Sequence, residues 1–288
     1  TCTDQAHRNS LNNSGHYAKT TTKGAIMGMT RGAIKLLAMT LQGQHYEKAV
    51  MYGVQQVSAN SKEICSILSK YGANWAEPTL EAPSTGGFKS LGCNQVESID
   101  FYPDEGATHV VDLNRPINEK YKQAFDLIYD GGTLEHCFDI AQVLRNTAHM
   151  LKTGGRIIHH VPTNNWVDHG FYQVSPTLFF DFYEAAGFSE FSFHFHFIDG
   201  KKESYISHSL QDQPPPYFIG KGTRVLSHFT AVKVRTVDPS DLVSLVQRRY
   251  REYFGGDHSP AETQSRDLLS RLKRSFLKRT IRLRAQRL

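Results

Sequence analysis

The stretch FDLIYDGGTLEHC, residues 125–137, followed after an interval by LKTGGRIIHHVP, residues 151–162, decides the fold. FDLIYD is a short apolar run that ends in an aspartate and two glycines, which predicts a buried strand stopping in a tight turn. Ala141 to Leu151 has helical spacing and is closed by Lys152-Thr153-Gly154-Gly155, while Arg156 to Val161 reads as another strand, stopped by Pro162. Strand, helix and strand in that order predict a parallel pair joined by a crossover.

The alternation extends both ways. Upstream, VESID and THVVDLN are short runs reaching Asp100 and Asp112, with YPDEGA between them in place of a crossover helix. Leu91-Gly92-Cys93 reads as a helix end, because the few residues from Cys93 to Asp100 cannot hold a crossover helix. Tyr46 to Tyr71 carries helical spacing through Val50, Val54, Val57, Ile64, Ile67 and Leu68, and Ala33 to Thr40 predicts the first strand, turning at Leu41-Gln42-Gly43-Gln44. Downstream, Pro176 to Ala186 predicts a helix, and Glu190 to Phe197 and Phe229 to Val234 the closing strands. The expected fold is α/β, a Rossmann-like doubly wound, mostly parallel seven-stranded sheet with its last strand antiparallel, plus a C-terminal helical appendage.

Composition sets the limits. Of 288 residues 39% are hydrophobic and 21% charged, which fits a globular chain and excludes collagen-like or wholly disordered classes. No apolar run approaches the roughly 20 residues that span a bilayer. Four scattered cysteines form no CxxC pair, so neither a zinc ribbon nor a disulfide scaffold is expected, and a cytoplasmic setting fits. Residues 266–288 hold nine Lys/Arg and one acid in a chain whose net charge is only +5, so the body is mildly acidic and the tail basic. That asymmetry argues against a surface generally coated with nucleic acid and for a basic appendage with a partner of its own, an anionic membrane surface or RNA; the first of these gives a membrane-peripheral placement. The expected organisation is a polar leader at 1–30, the α/β domain at 31–240 and a basic helical tail at 241–288.

Open parallel sheets bind ligands beyond the carboxyl ends of their strands. Asp100, Asp112 and Asp130 all fall at such ends. A carboxylate at the position of Asp100 can accept from both ribose hydroxyls of an adenosine-containing cofactor, and the glycines after Asp130 allow close backbone approach. Taken singly, each is also an ordinary turn or helix-cap residue.

Taken together, Phe125-Asp126-Leu127, Leu134-Glu135-His136 and Leu151-Lys152-Thr153-Gly154-Gly155 resemble, in this order, the class I S-adenosylmethionine-dependent methyltransferases, in a bacterial branch of the type 11/23 kind. The resemblance implies S-adenosyl-L-methionine as cofactor, Asp100 on its ribose, Asp112 and Leu113 near adenine, and Asp130 and Gly131 near the methionine moiety. TNNWVDHGFYQVSP, residues 163–176, resembles a substrate-side loop of that branch, which puts Asn164, Tyr172 and Gln173 on the acceptor. His136 and His169 are the candidate general bases, since imidazole titrates near neutrality. The chain departs from the family at its GxGxG loop, which is absent as such. Gly43, after the predicted first strand, is its expected remnant.

The implied activity is methyl transfer by in-line displacement to an oxygen or nitrogen of a small molecule or saccharide. Two alternatives stand beside it: a non-catalytic methyltransferase-like binding protein, and a nucleotide-binding Rossmann enzyme, against which the missing GxGxxG cradle counts. No metal is expected. His194 and His196 share one strand face in an ordinary polar-out pattern, His159 and His160 point to opposite faces, and no third ligand is identified.

Overall fold

In a computed structural model of the protein, residues 28–73, 83–103, 106–209 and 222–254 are described. Most of the leader and the basic segment 266–288 lie outside them. Thr30 caps the first helix, α1 (Arg31–Leu41), its hydroxyl accepting from the N–H of Ala33 at 3.3 Å. This segment was expected as a strand, and the correction has a plain cause. Ala33, Ile34, Leu37, Ala38 and Leu41 bury one helical stripe, and Ala, Leu, Met and Lys are helix formers.

The first strand is instead β1 (Tyr46–Tyr52), within the segment expected to be helical. Its last four residues are all buried because it runs between two neighbours with helices on both faces, so alternation is masked and the valine spacing misleads. Two helices follow, α2 (Ser61–Ser69) and α3 (Pro83–Ser90), then β2 (Cys93–Asp100) and the two-residue β3 (His109–Val110). Leu91-Gly92 is the expected helix end. The remainder runs β4 (Phe125–Asp130), α4 (Ile140–Met150), β5 (Leu151–Asn164), α5 (Pro176–Ala185), β6 (Phe188–Asp199), β7 (Lys202–Ser207) and β8 (Arg224–Lys233).

The sheet has the order β3-β2-β1-β4-β5-β8-β6-β7. Strands β1 to β5 pair in parallel, while β8 runs antiparallel to both β5 and β6. The doubly wound fold is as expected, with eight strands rather than seven. The addition is β7, a hairpin return on β6 through Asp199-Gly200-Lys201-Lys202, with Gly200 at φ +58°.

Each face carries its own core. One packs α4 and α5 on Val50, Ile128, Ile157 and Phe229; the other packs α1, α2 and α3 on Met51, Leu127, Tyr129 and Ile158. The alternation along β4 and β5 sends Asp130 and His159 to the first face and His160 to the second. Among the described residues no helix is long and apolar enough to cross a membrane. Among the described residues, those up to Leu245 form one compact unit, and α6 (Arg248–Phe254) belongs to a second.

Candidate functional site

The order of strands reverses between β1 and β4, so a crevice opens at their carboxyl ends. Gly53 stands at its floor with φ +70°, a conformation that favours glycine, and its N–H donates to the Ile99 carbonyl at 2.7 Å. A Cβ there would lie 3.3 Å from Thr133 Oγ1 and 3.8 Å from Asp100 Oδ2. Thus Gly53, Asp100 and Thr133 meet. Gly43 does not join them: it precedes β1, in the turn at the opposite end of the sheet, with open space around its Cα. The reason is the misread first strand; the residue that follows the true β1 is Gly53.

Asp100 keeps one oxygen on its own turn, accepting from Tyr102 N–H at 3.1 Å, and directs the other toward Gly53. Asp112 follows β3 and accepts from the backbone and side-chain amides of Asn114 at 2.9 and 2.8 Å. Leu113 is buried beside it, its carbonyl accepting from Asn146 Nδ2. Burial pushes the Cys137 thiol up to about 12, and the charges of Asp130, Asp112 and Glu135 add to the rise.

Asp130 is at the crevice but faces inward. Its side chain has no solvent exposure; Oδ1 accepts from the N–H groups of Thr133 and Leu134, and Oδ2 lies 2.7 Å from His159 Nδ1. His159 Nε2 is in turn 2.6 Å from the Tyr183 hydroxyl, and Phe179 stacks on the imidazole. Asp130 therefore anchors the turn that follows β4. Gly131 is needed where it is, since a Cβ would run into Gln55 Oε1 and the Tyr129 ring.

The anchored turn carries Leu134-Glu135-His136 as one 3₁₀ turn. The loop after β5 folds onto it: Phe171 N–H donates to the Glu135 carbonyl at 2.8 Å, and Gly170 approaches the same backbone closely. Asn165 and Asp168 adopt φ of +60° and +65°, conformations sparsely populated outside glycine that set the path into His169. Here the two candidate histidines come together, ring centroids 4.9 Å apart, around a buried Glu135 carboxylate that the sequence reading left without a role. Burial pushes that carboxyl up to about 7, with Asp130 adding to the rise and nearby His169 opposing it. Burial also lowers His136, and His169 lowers it further.

The expected acceptor residues are occupied in building this loop. Tyr172 donates its hydroxyl to the Phe138 carbonyl at 2.7 Å, Gln173 Oε1 accepts from Trp166 N–H at 2.9 Å, and Asn164 Oδ1 accepts from Asn165 N–H at 3.0 Å.

A cavity of about 450 Å³ adjoins Gly131 on the α1 face, lined among others by Tyr129, His160, Trp166, Glu203 and Arg224. Beneath it runs a hydrogen-bonded row: Thr40 Oγ1, His228, His160, His196 and Glu203, with successive contacts of 3.1, 3.1, 3.2 and 3.0 Å. Burial would raise Glu203, but hydrogen bonds from His196, Thr30 and the Gly32 N–H bring it below the usual carboxylate range. An ionised Glu203 only accepts, so with neutral rings each histidine donates toward it and the row has one direction, starting from the Thr40 hydroxyl. His196 is thus buried rather than facing solvent as expected, because the start of α1 lies over that face, with Gly32 against the imidazole. Phe193 and Phe195 do pack into the opposite core.

No protein-family profile matches the chain, and no curated protein does. Among solved structures, an S-adenosylmethionine-dependent methyltransferase of Thermotoga maritima, described as a possible histamine N-methyltransferase, is 17% identical over 69% of this chain and 87% of its own, with a TM-score of 0.37. The N-methyltransferase NodS of Bradyrhizobium japonicum with S-adenosylhomocysteine is 13% identical over 69% and 84%, TM-score 0.38. The branched-chain polyamine synthase of Thermus thermophilus, with N4-aminopropylspermidine and 5′-methylthioadenosine, is 14% identical over 78% and 58%, TM-score 0.39.

Proposed function

We propose that the chain is a class I S-adenosylmethionine-dependent methyltransferase acting on an oxygen or nitrogen of a small molecule or saccharide. The observation that carries this reading is the meeting of Gly53, in its positive-φ turn, with the Asp100 carboxylate at the reversal of strand order. Asp100 Oδ2 is directed to where two vicinal hydroxyls of a ribose could donate to it, and Asp112 and Leu113 stand one strand further out, where an adenine would lie.

The surroundings disfavour a pyrophosphate. A dinucleotide site needs a helix N-terminus immediately after β1, with free N–H groups. Here α2 starts only at Ser61, and Asn60 and Glu63 close its first turn on each other as a capping box, placing a carboxylate where a phosphate would be repelled. A sulfonium cofactor has no such need.

When bound, S-adenosylmethionine supplies an electrophilic methyl group, so the chain has to orient the acceptor, exclude water and handle one proton. Glu135, His136 and His169 lie on the acceptor side of the crevice in this reading, and His136, with its side chain 46% exposed, is the one of the three that faces solvent. The basic segment 266–288 is the part we assign to an anionic membrane surface, on its charge alone. Calorimetric titration of the full chain with S-adenosylhomocysteine tests the central reading. Saturable binding that is lost in Asp100→Ala is expected; no binding overturns it, and binding without turnover over a panel of hydroxyl and amine acceptors points to the non-catalytic alternative.

A further inference from the structure

Glu135 is the anomaly of the site. Its side chain is wholly shut off from solvent, and neither carboxylate oxygen has a hydrogen-bond donor. His169 Nε2 is buried and equally without a partner. An orphaned buried carboxylate costs several kcal/mol, about 1–3 even on conservative scales, so native proteins provide such a group with a partner. Oε1 of Glu135 lies 3.7 Å from His169 Nε2 and 3.8 Å from His136 Nε2, both too long for hydrogen bonds. One donor atom from each of the three residues falls within 4.8 Å of the others.

We propose that Glu135, His136 and His169 bind a divalent first-row transition-metal ion, with Zn²⁺ the reference case. Ligand atoms held at about 2.1 Å from one ion lie about 3.0 to 3.4 Å apart in octahedral or tetrahedral geometry, so the observed spacings close onto a metal by small side-chain rotations. His136, half-exposed at the mouth, has the room to make them. Two imidazoles and one carboxylate suit zinc, cobalt or ferrous iron; magnesium and calcium prefer all-oxygen sets with more ligands. The scaffold is rigid where it has to be. Asp130 fixes the 3₁₀ turn through the Thr133 and Leu134 N–H groups, and the Glu135 carbonyl ties down the His169 loop through Phe171. Three protein ligands leave at least one position open, as in catalytic rather than structural metal sites. If the methyltransferase reading holds, an acceptor hydroxyl would take that open position and be deprotonated there more easily.

The test uses the full chain, dialysed against chelator and titrated with Zn²⁺, Co²⁺ and Mg²⁺ in the absence of any nucleoside, so that it succeeds or fails independently of methyl transfer. We expect one tight equivalent of Zn²⁺, a visible d–d absorption on adding Co²⁺, and no tight Mg²⁺ binding. Glu135→Gln, which keeps the shape of the side chain, and His136→Gln at the exposed edge should each weaken Zn²⁺ at least about tenfold and abolish the Co²⁺ bands. His194→Gln, on β6 and outside the cluster, should change neither. Absence of stoichiometric Zn²⁺ binding to the wild-type chain, or retention of wild-type affinity in both variants, overturns the proposal.

Discussion

Asp130 and His159 are register partners on adjacent parallel strands, and their side chains meet at 2.7 Å with no solvent access to either. Each completes the other. With its Nδ1–H donated to the carboxylate, His159 is left with Nε2 to accept from Tyr183, whose hydroxyl burial pushes well above its ordinary range and so keeps protonated. The same carboxylate holds the backbone that presents Glu135 and His136, so a core pair sets the geometry of the site.

Asp130→Ala removes the acceptor from two N–H groups and from His159 together. The expected loss of stability is about 2–4 kcal/mol, read from urea unfolding. Asp130→Asn should lose less, since a change of His159 tautomer lets the amide donate to Nδ1. Equal stability of Asp130→Ala and wild type would remove the anchor role.

Gly53→Val places a branched side chain at φ +70° and fills the space between Thr133 and Asp100. Binding of S-adenosylhomocysteine should weaken at least about tenfold, beyond the roughly 1–2 kcal/mol of backbone strain that appears in stability. Gly43→Ala, also at positive φ but in an open turn at the far end of the sheet, should leave that affinity unchanged; a loss of binding there would reinstate Gly43.

The histidine row gives a pH dependence with a definite sign. Burial lowers His228 from its ordinary 6.5 to about 3, helped by His194 and His196, and burial lowers His160 well below its ordinary value. The folded state therefore binds fewer protons than the unfolded one below 6.5, so this stability is present above 6.5 and is lost as pH falls toward 3. At pH 5 His228 alone accounts for about 2 kcal/mol. Urea midpoints at pH 7.5, 6 and 5 should fall steeply in the wild type and more shallowly in His228→Gln; parallel slopes would contradict the assignment.

Lys233 is buried on β8 and donates Nζ hydrogen bonds to the carbonyls of Ala148 and Leu151, at 2.7 and 2.8 Å, closing the end of α4. Lys233→Met keeps the stem and strands both carbonyls. Thermal unfolding should register a loss of about 2–3 kcal/mol, while binding at the crevice, on the opposite end of the sheet, is unaffected.

Reading the chain from residue to residue located β2, β4, α4 and α5 within a few positions, because each is periodic and bounded by Gly, Pro or Asp, and found the middle of β5, whose first residues Leu151–Gly155 were expected as a helix end and turn but pair as strand. It also singled out Asp100, Asp112, His136 and His169, which the fold puts at the end of β2 and in the turns and loops that follow β3, β4 and β5. The region before β2 was harder. A helix rich in Leu and Ala and a central strand buried on both faces both present apolar runs, and only packing against neighbours tells them apart; the exchange of α1 for β1 carried the glycine turn to the wrong end of the sheet. The hairpin strand β7 was missed for the opposite reason, since KESYIS lies at a sheet edge and shows little burial to read.

What the linear order of residues determined on its own was the alternation of elements, and with it a doubly wound sheet whose carboxyl ends carry acids; these follow from local propensity and periodicity. Which of those acids face the crevice and which lock the core was decided only in three dimensions. Asp100 and Asp130 are indistinguishable as strand-terminal aspartates, yet one turns a carboxylate oxygen toward Gly53 and the other is shut in against His159, and pairing between distant segments is a property of the folded chain. Glu135 acquired its place in the same way, from a loop some thirty residues further on that returns to bring His169 against it.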